Sequence, residues 1–336
     1  MEVVNTCFKS VDSVLGPGNE RFFGMGFRKA QQIITNVEIY PRIKEDNNQG
    51  KINAKASLFY PNDWSKKEGT KVLKPHLTSI DAVVFAVQLN EMFLTYKYKL
   101  TEEQRKEIWI KSVTMKAGTS PNEDLKGFDI ESIQLSTDNF RNKDQFISVF
   151  EAKIGNIRIK SEIIHRQNGI RLDNKSYETC DTLLGSADKR YYGEGYKVPK
   201  QIIKDVEITH NSVSSMVTIE KPKNIDLITN GAEGKYRPSI SMIDCMLIIA
   251  QLGQVLIYHL DNITREKSNT LWMRKVYLES NDPYQLGDNF KASTHIVKSK
   301  LFSIKNNFWR SCDMVGNCKG IKVEYSIAHE LPNDLL

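Results

Sequence analysis

Two long segments of the chain are apolar on nearly every face of a helix. Residues 80–94 read IDAVVFAVQLNEMFL, and residues 243–257 read IDCMLIIAQLGQVLI. A helix with this pattern is buried on all sides, whereas a surface helix would show one apolar stripe. The pattern predicts buried helices over Thr78–Tyr98 and Ser241–Asn262.

Most other ordered segments alternate apolar and polar positions with a period of two, which is typical of strands with one buried face. In each half of the chain, two predicted strands precede the helix and several follow it. The predicted strands are Gln32–Ile39, Lys51–Tyr60, Ile108–Lys116, Asp129–Thr137, Gln145–Lys153, Ile157–His165, Gln201–Ile208, Val213–Glu220, Leu271–Leu278, Phe290–Phe302, Phe308–Asp313 and Lys319–His329.

The two halves are copies of one unit. Asp12–Ile39 aligns without a gap with Asp181–Ile208, at an offset of 169, with 12 identities in 28 positions. Further matches at offsets near 163 and 164 cover the helices and the last strands. A period of this length indicates duplication of a whole domain, not a solenoid repeat. We expect an N-terminal domain over 8–170 and a C-terminal domain over 171–336.

One buried helix among antiparallel strands indicates a sheet that wraps around the helix. The predicted fold class is therefore α+β, a tandem (double) hot-dog fold. Two antiparallel sheets would each surround a central helix and join as a pseudo-dimer, whose broken symmetry lets the two sites diverge. A homodimer of the whole chain is also compatible with this layout.

Composition and charge narrow the function classes. The five cysteines include no CxxC pair, which favours reduced thiols in the cytoplasm over disulfides or a zinc site. The net charge is +6, but basic and acidic residues are interleaved, which argues against nucleic acid and favours an anionic substrate or an acidic carrier protein. The apolar stretch Cys245–Leu260 is too short and too polar for a membrane span. No metal or other cofactor is implied.

Asp81 and Asp244 lie at equivalent positions at the start of the two helices, three residues after Thr78 and Ser241. One interpretation is a capping box, in which the hydroxyl and the carboxylate satisfy free backbone amides. The other is a catalytic carboxylate, acting as a general base near amides that polarise a thioester carbonyl. Both interpretations can hold for one residue.

Gln88 and Gln251 lie seven residues further along, two turns away on the same helical face. A buried glutamine needs hydrogen-bond partners. It either bonds a neighbouring strand or binds the oxo oxygen of an acyl chain.

Basic residues flank the equivalent segments FFGMGF and YYGEGY, which contain Gly-x-Gly without the third glycine of a dinucleotide loop. One interpretation is a tight turn with solvated basic groups, and the other is a mouth that binds a phosphate or a sugar. The candidate substrate-binding residues here are Arg21, Arg28, Arg190 and Lys197.

His76 is a third catalytic candidate, five residues before Asp81, but the second half carries Ser239 at the equivalent position. A dehydratase needs a histidine that faces a carboxylate and normally lies well before the helix. The first half has no histidine before His76, so the dehydratase signature is broken.

The motif Leu15-Gly16, Arg21-Phe22-Phe23-Gly24-x-Gly26-Phe27-Arg28, followed by Ser79-Ile80-Asp81, resembles the AvrD avirulence proteins over almost the whole chain. The resemblance implies a role in making syringolides, which are acyl-glycoside elicitors. The task is similar to that of the A-factor synthases, double hot-dog proteins that move a 3-oxoacyl group onto dihydroxyacetone phosphate. The family supplies no catalytic residues to carry over.

The sequence therefore predicts an acyltransferase that joins a 3-oxoacyl thioester, on acyl carrier protein or coenzyme A, to a hydroxyl of a sugar or triose phosphate. The alternatives are a hot-dog dehydratase or thioesterase, and a catalytically silent protein that binds a small molecule. Which half holds the active site is left open.

Overall fold

The structure is a computed structural model that describes residues 6–43, 49–66, 74–221, 228–268, 271–304 and 306–332. Its strands are β1 Thr6–Ser10, β2 Gln31–Tyr40, β3 Gly50–Phe59, β4 Trp109–Lys116, β5 Phe128–Phe140, β6 Asn142–Ile154, β7 Ile157–His165, β8 Lys175–Thr179, β9 Lys200–Ile208, β10 Ser212–Glu220, β11 Trp272–Glu279, β12 Asn289–Ile304, β13 Asn307–Cys318 and β14 Ile321–Glu330. Its α-helices are α1 Asp12–Leu15, α2 Ser79–Lys97, α3 Glu102–Lys106, α4 Cys180–Leu184 and α5 Met242–Leu260.

All fourteen strands form one antiparallel sheet, in the order β1-β9-β10-β12-β13-β14-β11-β4-β7-β6-β5-β3-β2-β8. The two halves meet where β11 pairs with β4, with Val276 opposite Met115 and Leu278 opposite Val113. The order of strands on one side of this junction mirrors the order on the other. The duplication therefore produces a pseudo-twofold sheet with its axis between β4 and β11.

Helices α2 and α5 each lie against the sheet of their own half, and both are almost entirely buried. Each begins after a hydroxyl residue whose side chain accepts a backbone N–H, from Asp81 to Thr78 in α2 and from Asp244 to Ser241 in α5. The predicted helices differ from the observed ones only by their capping residues and ends. Seven antiparallel strands around one buried helix, twice, confirm the predicted double hot-dog fold.

Helix α5 is long and apolar enough to cross a membrane by length and composition, but 83% of that window is buried inside the protein. It is the core helix of the second half.

The first strand of each half was not predicted, and each pairs with the other half. β1 lies beside β9, with Phe8 opposite Val206, and β8 lies beside β2, with Tyr177 opposite Val37. The segments that follow, 11–30 and 180–199, therefore also reach across the pseudo-twofold axis. We call these segments the N-terminal arm and the central arm. The predicted boundary at 170 and 171 falls between β7 and β8, and it stays a prediction about the duplicated unit.

A buried histidine lies at the end of β7. His165 Nδ1 lies 2.8 Å from the carbonyl oxygen of Arg166, and Nε2 lies 2.7 Å from the Ser148 hydroxyl oxygen. The carbonyl can only accept, so Nδ1 carries the proton and Nε2 accepts from Ser148. Burial of the ring lowers the pKa of His165 from 6.5 to about 4. The fold therefore favours the neutral imidazole.

We expect this histidine to make stability fall on mild acidification. Because its folded pKa lies below its unfolded value, its contribution is complete above pH 6.5 and is lost as the pH falls towards 4, a loss of about 3 kcal/mol. Urea unfolding at pH 7 and pH 4.5 should show a smaller loss in His165→Gln than in the wild type. The exposed His210→Gln is the control and should behave as the wild type. Equal losses in the wild type and His165→Gln would contradict the expectation.

Candidate active site

The N-terminus of α2 opens into a cavity of about 560 Å³, which we call the α2 cavity. Thr78 and Ser79 line it from α2, and Gln254 and Tyr258 line it from α5. Both halves of the duplication therefore build this site. Its aromatic wall consists of Phe22, Phe23, Trp64, Trp272 and Trp309.

An apolar void of about 10 Å³, which we call the apolar extension, adjoins the α2 cavity in the second half. The two spaces share Phe23, Ser79 and Met273. Beyond them the extension runs between α5 and the inner face of the sheet. The additional lining residues are Met246, Ile249, Ala250, Val276, Val323 and Tyr325. With one phenolic group and flexible methionines, this lining suits an alkyl chain that displaces side chains as it enters.

His76 lies in the wall of the α2 cavity, as one of the predicted catalytic residues. Its ring is partly buried, 5.8 Å from the ring of Trp64 and 5.9 Å from the ring of Trp272. Nδ1 lies 3.2 Å from the carbonyl oxygen of Lys74. Because this carbonyl accepts a hydrogen bond from Nδ1–H, the neutral ring has its lone pair on Nε2. His76 is thus arranged as a proton acceptor.

The start of α2 supplies backbone donors beside this histidine. The Asp81 amide donates to Thr78 Oγ1 at 3.2 Å, and the Ala82 amide donates to the Thr78 carbonyl at 3.0 Å. The amides of Ser79 and Ile80 have no acceptor within the part of the chain that the structure describes. Free amides at the start of a long helix stabilise a negative charge. Ser79 lies at the floor of the cavity, whereas Ile80 is buried and does not line it.

Asp81 itself lies behind this floor and does not line the cavity. Its carboxylate is 1% exposed and accepts from Gln32 Nε2 at 2.7 Å and from the hydroxyls of Thr78 and Tyr60. Burial raises its pKa, although the hydrogen bonds from Thr78, Tyr60 and Gln32 act in the opposite direction. The structure places Asp81 where it orients the capping threonine.

Asp244 has the equivalent position in the second half. It accepts from Gln201 Nε2 at 2.6 Å, from Ser241 Oγ at 2.8 Å and from the Ser241 amide at 2.9 Å. The full capping box is therefore observed at α5. At α2 the Thr78 hydroxyl caps the helix, but the Asp81 carboxylate accepts only from side chains. The catalytic interpretation stays a prediction for both residues. Gln32 and Gln201 were not singled out, although they are identical at equivalent positions of the repeat.

Gln88 and Gln251 bind arginines from the opposite arms. Arg21 donates to Gln251 Oε1 at 2.7 Å, and Arg190 donates to Gln88 Oε1 at 3.2 Å. Each arginine also pairs with an aspartate at the start of its arm, Arg21 with Asp12 and Arg190 with Asp181. Of these four predicted substrate-binding residues, only Arg21 lines the α2 cavity.

Arg28 and Lys197 join the two arms to each other. Arg28 Nη2 donates to the Pro199 carbonyl at 2.6 Å, and Lys197 Nζ donates to the Ala30 carbonyl at 2.7 Å. Ala30 and Pro199 are themselves equivalent in the repeat, so the two contacts are related by the pseudo-twofold axis. Neither basic residue lines the α2 cavity, and their predicted role in substrate binding remains a prediction.

The equivalent space at the start of α5 is filled by side chains. Arg237 packs over the ring of Tyr191 at 4.2 Å and lies 3.5 Å from the carboxylate of Glu233, which also accepts from the Tyr192 hydroxyl at 2.9 Å. Ser239, which replaces His76, is 2% exposed. We call these residues the closed cluster. The duplication thus has one open cavity and one closed counterpart among the described residues.

Comparison with known proteins gives similar solved structures and a matching family model. Solved structures similar to the chain include the tesB protein of Mycobacterium avium subs paratuberculosis, with 8% identity, a TM-score of 0.38 and coverage of 86% of this chain and 95% of that one. An acyl-ACP thioesterase from Bacteroides thetaiotaomicron VPI-5482 has 10% identity, a TM-score of 0.38 and coverage of 86% and 100%.

The dehydratase domain of a mycocerosic acid synthase-like PKS has 9% identity, a TM-score of 0.33 and coverage of 90% and 96%. With TM-scores this low, the fold assignment rests on the strand order and the two buried helices. None of the curated proteins compared with the chain matches it. The model of the family described as Pseudomonas avirulence D protein (AvrD) matches residues 6–332, and the chain therefore belongs to the AvrD family.

Proposed function

We propose that this protein is an acyltransferase that joins a 3-oxoacyl group from a thioester to a hydroxyl of a sugar or keto-sugar, and that the reaction takes place in the α2 cavity. The observation that carries the proposal is the position of His76. His76, with its Nε2 lone pair, and Ser79, with its free amide, line one cavity, and the apolar extension adjoins it. A base, an oxyanion site and an acyl channel are the parts that acyl transfer needs.

In the proposed reaction, His76 Nε2 removes the proton from the acceptor hydroxyl, and the resulting oxygen attacks the thioester carbonyl carbon. The amide of Ser79 holds the negative oxygen of the tetrahedral intermediate. The C–S bond then breaks, and the leaving thiolate takes the proton from the His76 imidazolium. The products are an acyl ester of the acceptor and a free thiol.

Asp81 acts as a positioning residue in this scheme. Its carboxylate holds the hydroxyl of Thr78, which caps α2 and fixes the amides next to it. Asp244 holds Ser241 in the same way, but at the start of α5 the space is closed. Both helices thus keep a cap, and we assign the reaction to the start of α2.

Mass spectrometry tests the proposal directly. Purified protein is incubated with a 3-oxoacyl thioester of acyl carrier protein or coenzyme A, with xylulose or dihydroxyacetone phosphate added in turn. We expect an acylated acceptor only when protein, thioester and acceptor are all present. Consumption of thioester without an acylated acceptor would identify a thioesterase instead. Binding of the thioester without any consumption would identify the silent binding protein.

A further inference from the structure

Arg265 is a buried cation in the wall of the α2 cavity that the proposed reaction does not use. Its side chain is 7% exposed, and Nη2 donates to the carbonyls of Lys66 at 2.5 Å and Glu20 at 3.2 Å. No carboxylate lies within 4.0 Å of it, and Nε and Nη1 have no acceptor, as far as the described residues extend. A buried guanidinium without an ion pair is costly unless a ligand supplies the negative charge.

Arg21 adds a second positive charge to the same wall. It is 3% exposed, and its Nη groups are used by Gln251 and Asp12, while its buried Nε has no partner. Burial lowers the pKa of Arg21, Asp12 raises it, and the nearby Arg265 lowers it further. The two guanidiniums therefore repel each other. Asp12 pairs with Arg21, whereas Glu266 and Glu20 raise the pKa of Arg265 without forming an ion pair with it.

The positive charge of Arg265 has no counterpart at the equivalent position of the other copy. At the offset that relates the two helices, the position of Arg265 corresponds to Glu102, which is exposed. Among the other charged groups of the cavity, Lys74 pairs with Glu123, and the Glu330 carboxylate accepts a hydrogen bond from the neutral amide of Asn307 at 2.6 Å. Arg265 thus adds to the open cavity a cation that has no ion pair within 4.0 Å among the described residues.

We propose that Arg265, assisted by Arg21 Nε, binds a phosphate monoester in the α2 cavity. The inference deepens the proposed function, since it gives the class of ligand, but binding can be measured without turnover. A dianionic phosphate oxygen cluster can accept from several separate N–H groups, which suits two guanidiniums with one unused edge each. The phosphate monoester belongs either to the acceptor sugar or, on the donor side, to the ribose 3′-phosphate of coenzyme A.

The test is titration calorimetry with dihydroxyacetone phosphate, dihydroxyacetone, coenzyme A and inorganic phosphate. We expect the triose phosphate to bind at least about ten times more tightly than the uncharged triose. Arg265→Gln should weaken the phosphorylated ligand by about 10- to 100-fold, the loss expected for charge-assisted hydrogen bonds. The exposed Arg141→Gln is the matched control and should bind as the wild type.

The outcomes separate the two sources of phosphate. Weaker triose phosphate binding in Arg265→Gln assigns the site to the acceptor, and weaker coenzyme A binding alone assigns it to the donor. Equal affinity of wild type and Arg265→Gln for both ligands would overturn the proposal. Because Arg265 also holds two carbonyls, a second test uses the wild type alone. Inorganic phosphate should compete with the triose phosphate, and absence of competition would also overturn it.

Arg265-dependent binding without any acylated product would leave the phosphate site in place and remove the transferase. An acylated product whose formation does not depend on Arg265 would support the transferase and remove the phosphate site.

Discussion

The His76→Phe variant is expected to lose about 10²- to 10⁴-fold in the rate of acyl transfer, the usual contribution of a positioned general base. Phenylalanine keeps an aromatic ring between Trp64 and Trp272 and removes both ring nitrogens. Binding of the acyl thioester should change little, because the apolar extension is untouched. The measurement is the initial rate of acylated product by mass spectrometry, with thioester binding measured in parallel.

His76→Gln and His210→Gln form a matched pair for the same prediction. His210 is exposed in the turn before β10 and has no place in the cavity. We expect His76→Gln to be slow and His210→Gln to be as fast as the wild type. A His76→Phe variant that retains the wild-type rate would show that another group removes the proton, and Asp81 would then be the next residue to change. This outcome would leave the fold and the cavity unaffected.

The repeat predicted the elements well, because each copy supports the interpretation of the other. Two all-apolar segments with a hydroxyl residue three positions before an aspartate gave α2, α5 and their caps. The repeat could not predict whether each arm pairs with its own half or with the other half. β1 and β8 are short, and the repeated sequence is compatible with either pairing. The exchange of the arms explains why Arg21 meets Gln251 and why Arg190 meets Gln88.

The sequence also could not predict which of the two equivalent spaces is the open cavity. Lys74 and Arg237 occupy equivalent positions and have the same charge. Lys74 is exposed at the cavity and pairs with Glu123, whereas Arg237 turns inward to Glu233. Which direction such a side chain takes depends on long-range packing. His76 was predicted without a partner carboxylate, and the role that we propose for it in the cavity does not depend on the dehydratase pattern.

A further difference in sequence between the two copies also distinguishes the open cavity from the closed cluster. Gln254, which lines the open cavity, corresponds to Glu91, which is 1% exposed and 3.8 Å from Arg105. The closed cluster thus extends to a second acidic residue with an arginine beside it. Buried charged residues need partners of their own, and here the charged side chains and their partners occupy the space.

The Arg237→Ala variant is expected to lose about 3–5 kcal/mol of stability, the usual cost of removing one partner of a buried ion pair. Arg237 donates to Glu233 and to the carbonyl of Ser239 at 2.5 Å, and its side chain is 5% exposed. Without it, the Glu233 carboxylate keeps only Tyr192 and the amide of Ile110 as donors. The measurement is the midpoint and slope of urea unfolding.

The loss should depend on pH in a definite direction. Burial raises the pKa of Glu233, and Arg237 counteracts this, so removal of Arg237 raises the pKa further. A carboxyl group whose folded pKa lies above its unfolded value gains stability as the pH falls, because the folded state prefers the protonated form. Arg237→Ala should therefore be closer to the wild type at pH 5.5 than at pH 7.5.

Two further variants isolate the cause. Addition of Glu233→Gln to Arg237→Ala should recover part of the stability, because no unpaired charge is then buried. Lys55→Ala breaks an exposed pair with Asp129 and should cost no more than about 1 kcal/mol. Unfolding of Arg237→Ala at the wild-type urea concentration would show that the closed cluster does not depend on this pair.

Turnover of Arg237→Ala per folded molecule should stay at the wild-type level, since the reaction is assigned to the α2 cavity. A loss of turnover would place the chemistry at the start of α5 instead.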